Sequence, residues 1–218
     1  MILSLKNKPF FVFDLDDTLY PEIEFLESAY KFIAREIMPY TKSDVYEEML
    51  RRYYSKENVF EWIVSTYSMK NNKISHSHLL QLYRNHLPEI QLPIQTSNFL
   101  MKLKERNIPV GLITDGRSIT QRNKLKSLGL DDYFQDVIIS EEFGSEKPHP
   151  KNYLFFEDKY PGYEFCYVAD NTNKDFVVPK QLGWKIYCLK DRGFNIHKQN
   201  LEGFEISEII DSFQEIEL

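Results

Sequence analysis

The feature that most constrains the fold is a series of short apolar segments that alternate with helical patterns. Five segments are typical of strands: residues 10–15, 109–114, 137–140, 165–169 and 185–189. Four of them are apolar almost throughout, as strands covered on both faces should be. Helical patterns lie between them, over residues 97–107, 119–128, 151–159 and 175–182. This alternation predicts an α/β fold with a doubly wound parallel sheet.

A long segment from about residue 22 to about residue 89 interrupts the alternation. It contains helical, Tyr-rich stretches such as FLESAYKFIAREIM and SDVYEEMLRRYY. Pro21 precedes the segment, and Pro88 and Pro93 bracket a linker at its end. We therefore predict a core domain of residues 1–20 and 91–218, with a small helical domain of residues 21–90 inserted after the first strand.

Composition and charge exclude several classes of partner. The 27 basic and 33 acidic residues give a net charge of −6. The sequence has no long run of Lys and Arg, which argues against a nucleic acid as the main partner. Lysines interrupt the apolar N-terminus, so we expect no signal peptide and no membrane span. Cys166 and Cys188 lie in apolar runs and are expected to be reduced core thiols, with a disulfide or a metal pair as the alternative. These features predict a cytoplasmic protein.

Polar side chains follow the predicted strands at their carboxyl ends, which is where ligands bind in a doubly wound sheet. Each strand from the first to the fourth contributes to this edge. In strand order, the residues are Asp14, Asp16, Asp17 and Thr18; then Thr114, Asp115 and Gly116; then Lys147 after a loop; and finally Asp170, Asn171 and Asp175. From this set we expect four of the carboxylates, a hydroxyl and a lysine to converge on one site.

Carboxylates that converge in this way raise one another's pKa values unless a cation lies among them. Oxygen ligands without Cys or His favour Mg²⁺, which binds one or two carboxylates together with substrate phosphate. The pattern therefore indicates a magnesium site and a phosphate-ester substrate. A calcium-binding EF-hand loop starting at Asp14 is excluded, because Leu19 occupies its glycine position and Phe25 its last ligand position.

Four motifs, in order along the chain, resemble those of the haloacid dehalogenase (HAD) superfamily of phosphohydrolases. They are FVFDLDDT, VGLITDG, EKPHP and VADNTNKD. The stretch TQRNKLKSLGLDDYFQDVIISEEFGSEKPHP also resembles the connection between the second and third motifs in the subfamily with an early helical (C1-type) cap. The resemblance covers residues 10–189, and the insert matches only by placement and helical character. It implies a Rossmann-like HAD core with a helical cap inserted after the first strand.

The resemblance also implies a role for each motif residue. Asp14 would be the nucleophile that forms an aspartyl-phosphate, and Asp16 would protonate the leaving alcohol and then activate water. Further residues would bind phosphate (Thr114, Asp115 and Lys147), support the site (Thr18 and Asp175) or bind Mg²⁺ (Asp14, Asp16 through its backbone carbonyl, and Asp170). Two residues depart from the family pattern: Asp17 stands where Gly is frequent, and Ala169 replaces a common Gly.

The implied function is hydrolysis of a small phosphorylated metabolite, with a sugar phosphate as the expected class, by a monomer or homodimer. The alternatives are a phosphomutase on the same fold and a catalytically idle HAD-like binding protein; the intact motifs argue against the idle protein. In the insert, His76, His78 and His86 are expected to be exposed polar residues without a role. The aromatic residues of the insert are expected to pack its helices together.

Overall fold

A computed structural model describes residues 8–67, 74–205 and 208–218. Its strands are β1 (Lys8–Phe13), β2 (Val110–Thr114), β3 (Asp136–Ile139), β4 (Tyr163–Ala169), β5 (Lys185–Leu189) and β6 (Ile209–Ile210). They form one sheet in the order β3-β2-β1-β4-β5-β6, and every pair is parallel. The predicted parallel sheet is confirmed. The chain extends the sheet in opposite directions from β1, so the carboxyl ends of β1 and β4 flank the switch point where such folds bind ligands.

Nine α-helices and a 3₁₀ helix (Phe213–Glu215) are present in the described ranges. Those of the insert are α1 (Glu22–Thr41), α2 (Tyr46–Tyr54), α3 (Val59–Tyr67) and α4 (His76–Asn85). Those that follow are α5 (Ile94–Glu105), α6 (Ser118–Ser127), α7 (Ser140–Phe143), α8 (Pro150–Lys159) and α9 (Val177–Gln181). The four predicted helices of the core correspond to α5, α6, α8 and α9, with ends displaced by up to three residues.

The sheet separates two apolar cores, because successive side chains of a strand point to opposite faces. In β1, Phe11 and Phe13 pack on one face and Phe10 and Val12 on the other, and all four are buried. The first of these cores includes residues of α5 and α6, and the second includes residues of α8 and α9. A continuous apolar run is therefore required of a strand that is covered on both sides.

Helices α1 to α4 lie between β1 and β2 in the chain, as expected of the insert, and build a third apolar cluster. Along α1, Leu26, Tyr30, Ile33 and Ile37 face this cluster with helical spacing. The expectation for one histidine was wrong: His86 is buried, stacks on Phe32 and contacts the tilted ring of Phe25 rather than facing solvent. The division into two domains at residues 20 and 90 stays a prediction.

Strand β6, helix α7 and the 3₁₀ helix were not predicted. Strand β6 is only two residues long, which is too short for a period-two pattern to identify. The third predicted strand ends one residue early, because Ser140 begins α7 instead of continuing the strand.

Cys166 and Cys188 are free and buried, so the prediction of reduced core thiols is confirmed. Among the described helices, we find none with the length and apolar character needed to cross a bilayer.

Gly111 in β2 tests how closely the sheet and α8 pack. A Cβ atom at this position would lie 2.2 Å from Cε1 of Phe156, a buried residue of α8. We expect Gly111→Ala to lower the free energy of unfolding by about 1–3 kcal/mol through overpacking. In a double-mutant cycle measured by urea denaturation, Phe156→Leu should recover part of this loss. Additive effects of the two substitutions would contradict the assigned contact.

Candidate active site

The site lies where β1 and β4 end side by side. Asp14 directly follows β1 by one position, Asp170 follows β4, and the Asp14 N–H donates to the Val168 carbonyl at 3.0 Å. A pocket of about 120 Å³ opens at this edge of the sheet. The residues that line it are Asp14, Asp16, Asp17, Glu22, Thr114, Asp115, Asp170, Asn171, Lys174 and His197. The structure thus gathers most of the predicted site residues around one opening.

The turn after β1 depends on Asp17, one of the two departures from the family pattern. Its φ of 56° is in the left-handed region, which favours Gly but which Asp tolerates. Its carboxylate accepts the N–H groups of Glu22 at 2.8 Å and Ile196 at 2.9 Å. Asp17 therefore fixes the path of the chain from β1 into α1, and the turn forms with Asp at a position where the family frequently has Gly.

Lys147 joins two of the predicted aspartates. Its Nζ atom lies 2.5 Å from Oδ1 of Asp14 and 2.7 Å from Oδ1 of Asp175, and only 1% of the lysine side chain is exposed. Burial alone would lower the pKa of Lys147, but the two carboxylates outweigh that effect and hold it well above its ordinary value. The group is therefore a fixed positive charge beside Asp14.

Three carboxylates are placed so that they could hold a metal ion. Oxygen atoms of Asp14, Asp170 and Asp175 all lie within 4.8 Å of one another. Burial raises the pKa of Asp14 to about 7, against the opposing effect of Lys147, and burial together with the charge of Asp14 raises that of Asp170 to about 8. The Thr18 Oγ1 atom lies 3.4 Å from an oxygen of Asp14 and 3.4 Å from an oxygen of Asp170, so its hydroxyl can donate a weak hydrogen bond to one of these two carboxylates. An all-oxygen, electron-rich cluster of this kind fits Mg²⁺.

Asp16 does not share in this cluster through its side chain. Its carboxylate accepts hydrogen bonds from Tyr20 Oη at 2.5 Å and Gln121 Nε2 at 2.9 Å. It also forms an ion pair with Lys124, whose Nζ atom lies 2.7 Å from Oδ1. Burial would raise the pKa of Asp16, but Lys124 and the hydrogen bonds outweigh it, so the pKa is lowered. If Asp16 is a magnesium ligand, only its backbone carbonyl is available, as the resemblance implied.

The two remaining phosphate-binding candidates differ in what they can offer. Thr114 is buried, and its Oγ1 accepts the Gln121 amide at 2.6 Å, which leaves the hydroxyl hydrogen free to donate elsewhere. The Asp115 carboxylate accepts the Lys147 N–H at 3.0 Å and pairs with Lys174 at 2.7 Å. The Asp115 side chain therefore braces the loop that carries Lys147, and a contact with phosphate would have to come from its main chain.

Several residues of the site were not predicted from the sequence. Besides Lys124, Gln121 and Tyr20, they include Glu22, whose pKa is raised to about 8 by burial and by the charge of Asp16, and Asn195, which donates to Asp170 Oδ2 at 2.8 Å. One signal was present: the buried residues of α6 are Thr120, Gln121, Lys124 and Leu125. Polar residues on the buried face of a helix indicate a functional environment, but the burial itself could not be read from the chain.

Comparison with known proteins identifies relatives over most of the chain. Residues 11–188 match the family model described as haloacid dehalogenase-like hydrolase. The glyceraldehyde 3-phosphate phosphatase of Methanocaldococcus jannaschii is 31% identical over 185 residues, which are 79% of this chain and 80% of that protein. The pyrimidine 5'-nucleotidase YjjG of Escherichia coli is 28% identical over 142 residues, 64% of this chain and 61% of that protein.

A solved structure shares the fold. The HAD-hydrolase YfnB of Bacillus subtilis, in a crystal form bound to magnesium, superposes with a TM-score of 0.64 over 96% of this chain and 97% of that chain. Because the sequence identity is only 17%, this likeness bears on the fold alone.

The raised pKa values of Asp14 and Asp170 predict how pH and metal affect stability. Both values exceed the ordinary value of 3.8, so the metal-free folded protein binds protons that the unfolded chain releases, and its stability should fall as pH rises from about 4 to about 8. Excess Mg²⁺ should therefore raise the Tm more at about pH 8 than at about pH 5.5, because the cation competes with protons.

Thermal unfolding with EDTA or with Mg²⁺ at both pH values measures this effect. Asp170→Asn, which removes one carboxylate and keeps its shape, should weaken both the pH dependence and the response to Mg²⁺. An equal rise in Tm at the two pH values, or a variant that responds like the wild type, would contradict the assignment of these groups.

Proposed function

Because the chain belongs to the haloacid dehalogenase-like hydrolase family, we propose that it is a magnesium-dependent phosphatase that acts on a small sugar phosphate through an aspartyl-phosphate intermediate. The predicted family and the predicted enzyme class, a phosphoric monoester hydrolase, are confirmed by the comparisons. The metal, the intermediate, the substrate and the role of each residue are parts of the proposal.

One observation carries the proposal: the buried Lys147 lies between Asp14 and Asp175, with Asp170 beside them. A nucleophilic carboxylate must approach a phosphoryl group that is itself negatively charged, so positive charge has to be present on both sides of the reacting atoms. Lys147 supplies a fixed charge of this kind on one side of Asp14. The carboxylates of Asp14 and Asp170 would hold a bound cation as the second positive charge.

In the proposed reaction, the Asp14 carboxylate attacks phosphorus in line and the bond to the leaving oxygen breaks. Lys147 and the Thr114 hydroxyl hold oxygen atoms of the transferring group. Asp14, Asp170 and the Asp16 backbone carbonyl would hold Mg²⁺, and Asp175 would act by orienting Lys147. When bound, the ion would neutralise charge on the phosphoryl oxygens and allow Asp14 to stay ionised.

Asp16 handles the proton of the leaving group. The protonated form of Asp16 gives its proton to the alcohol oxygen as the first bond breaks, and the carboxylate so formed takes a proton from the water that hydrolyses the aspartyl-phosphate, which regenerates the protonated form. Its partners, Lys124, Tyr20 and Gln121, stabilise the ionised carboxylate, which is the form that accepts the proton from water. The two aspartates would therefore act in sequence on different atoms of one substrate.

The substrate class follows from the relatives and from the charge of the pocket. Glyceraldehyde 3-phosphate phosphatase, the name of the relative from M. jannaschii, denotes a substrate whose non-phosphate part is small and uncharged. In this chain the wall near Asp16 also carries Glu22, whose carboxyl is largely buried, while the nearby Lys124 is already paired. The pocket is lined by six acidic side chains but only one lysine and one histidine, so it offers few partners for a second anionic group, and a neutral, hydroxylated leaving group fits better.

The remaining parts of the proposal concern the context of the enzyme. We propose that it acts in the cytoplasm as a monomer or homodimer on a small metabolite. The two free, buried cysteines support a reducing compartment. The net charge of −6 argues against nucleic acid as the partner.

A phosphate-release assay on a panel of metabolites tests the proposal directly. We expect release from triose and other sugar phosphates with Mg²⁺, weaker release from phosphoglycolate, and none after removal of divalent ions with EDTA. Full activity after thorough chelation would refute the metal. A sugar phosphate that is isomerised without release of phosphate would favour the phosphomutase, and binding without any turnover would favour an idle binding protein.

The separate roles of the two aspartates predict different traces in mutants. Asp14→Asn should abolish both turnover and any acid-stable, hydroxylamine-sensitive phosphoryl label on the protein. Asp16→Asn should lower the turnover of alkyl phosphates by about 10²–10⁴-fold. An aryl phosphate needs little protonation to leave, so it should still label Asp14 in this variant, and the label should persist.

Asp17→Asn is the matched control, because it removes a neighbouring carboxylate from a residue whose observed contacts are with main-chain N–H groups. Asn also tolerates the left-handed conformation at this position. Asn keeps an acceptor for only one of the two N–H groups, so this variant should lose some turnover but retain more than Asp16→Asn. A phosphoryl label on Asp14→Asn, or equal damage from Asp17→Asn and Asp16→Asn, would show that the roles are assigned wrongly.

A further inference from the structure

We propose that Lys124, on α6, is the positioning residue for Asp16: it holds the Asp16 carboxylate in the place from which that group serves the leaving oxygen. This inference rests on the proposed function, since it concerns the step in which the leaving alcohol is protonated. Neither the motifs nor the resemblance assigned a role to this residue.

The contact between the two residues is direct and enclosed. The Nζ atom of Lys124 lies 2.7 Å from Oδ1 and 2.9 Å from Oδ2 of Asp16, and only 3% of the lysine side chain is exposed. A buried ammonium group loses its hydration, which must be offset by close partners. Glu22 lies farther away, at 4.0 Å, and the ring of Phe25 lies 4.4 Å from Nζ. Asp16 is therefore the principal partner of Lys124.

Two neutral donors complete the set around Asp16 and show what the arrangement achieves. Tyr20 Oη donates to Oδ1 at 2.5 Å, and Gln121 Nε2 donates to Oδ2 at 2.9 Å. The same amide lies 2.6 Å from Thr114 Oγ1. Donors on both oxygens prevent rotation of the carboxylate, and Gln121 fixes its distance from the hydroxyl proposed to bind the phosphoryl group. Lys124 is the only charged donor among the three.

A purely structural role for Lys124, tying α6 to the insert, is the competing explanation. That task is already performed by its neighbours on α6. Asn123 donates to the carbonyls of Asn85 and His86, both at 3.0 Å, and Thr120 donates to the carbonyl of Arg84 at 3.1 Å. Loss of docking would reduce turnover of every substrate alike. Loss of positioning would penalise each substrate according to how much its leaving group needs a proton.

The test compares kcat/KM for an alkyl phosphate, glycerol phosphate, with that for an aryl phosphate, p-nitrophenyl phosphate. Lys124→Met keeps an apolar stem against Phe25 and removes the charge and its hydrogen bonds. We expect the alkyl phosphate to lose about 10²-fold or more and the aryl phosphate less than about tenfold. Lys124→Arg should restore part of the alkyl activity, because the positive charge returns.

Two control variants lie on the same helix. Lys126→Met removes an exposed lysine and should change neither rate, and Asn123→Ala should lower both rates by a similar factor if it weakens docking. If Lys124→Met does not fold, Tyr20→Phe provides the second measurement. It removes one hydroxyl from the same carboxylate and should shift the ratio of the two rates in the same direction by a smaller factor.

An unchanged ratio of alkyl to aryl rates in Lys124→Met, or in Tyr20→Phe where only that variant folds, would overturn the inference. This outcome differs from failure of the proposed function, in which the wild type itself would release no phosphate from either compound with Mg²⁺ present. A ratio shift equal to that of Lys126→Met would likewise assign Lys124 to structure alone.

Discussion

Like-charge repulsion among buried carboxylates is the constraint on which the rest of the site depends. The parallel sheet brings Asp14 and Asp170 together because both follow strands that end at the switch point, and the turn after β1 adds Asp16 and Asp17. Side chains so close and so little hydrated cannot all ionise without compensation. Two buried lysines and the proposed magnesium ion provide it, so the fold and the chemistry impose the same requirement.

The compensation is divided between the two aspartates of FDLDDT. Lys147 forms ion pairs with both Asp14 and Asp175. Burial nevertheless raises the pKa of Asp14 to about 7. Lys124 serves Asp16 with the help of neutral donors, and the pKa of Asp16 is lowered. Residues two positions apart thus have opposite electrostatic environments. Asp14 needs a further cation to be ionised, whereas the charge of Asp16 is already balanced by Lys124, and these different environments suit different tasks.

What the sequence could predict depends on how each residue is positioned. Asp14, Thr114 and Asp170 were found because strand ends are set by backbone topology, which apolar runs and their order reveal. Lys124 was missed because its position depends on which face of α6 packs inward, and that face is polar. The burial of His86 was missed for a similar reason: the ring fills a gap between aromatic residues that only the packing of the insert creates.

Helix α6 contacts both the insert and the candidate active site. Asn123 holds the end of α4 through main-chain carbonyls, while Lys124 holds Asp16 in the core and lies near Glu22 at the start of α1. A displacement of the insert that shifts α6 would therefore act on both partners of the Asp16 carboxylate that this helix carries. The same ten-residue helix thus contacts the insert and holds Asp16, and its buried face carries the amide of Gln121 and the ammonium group of Lys124 beside Leu125.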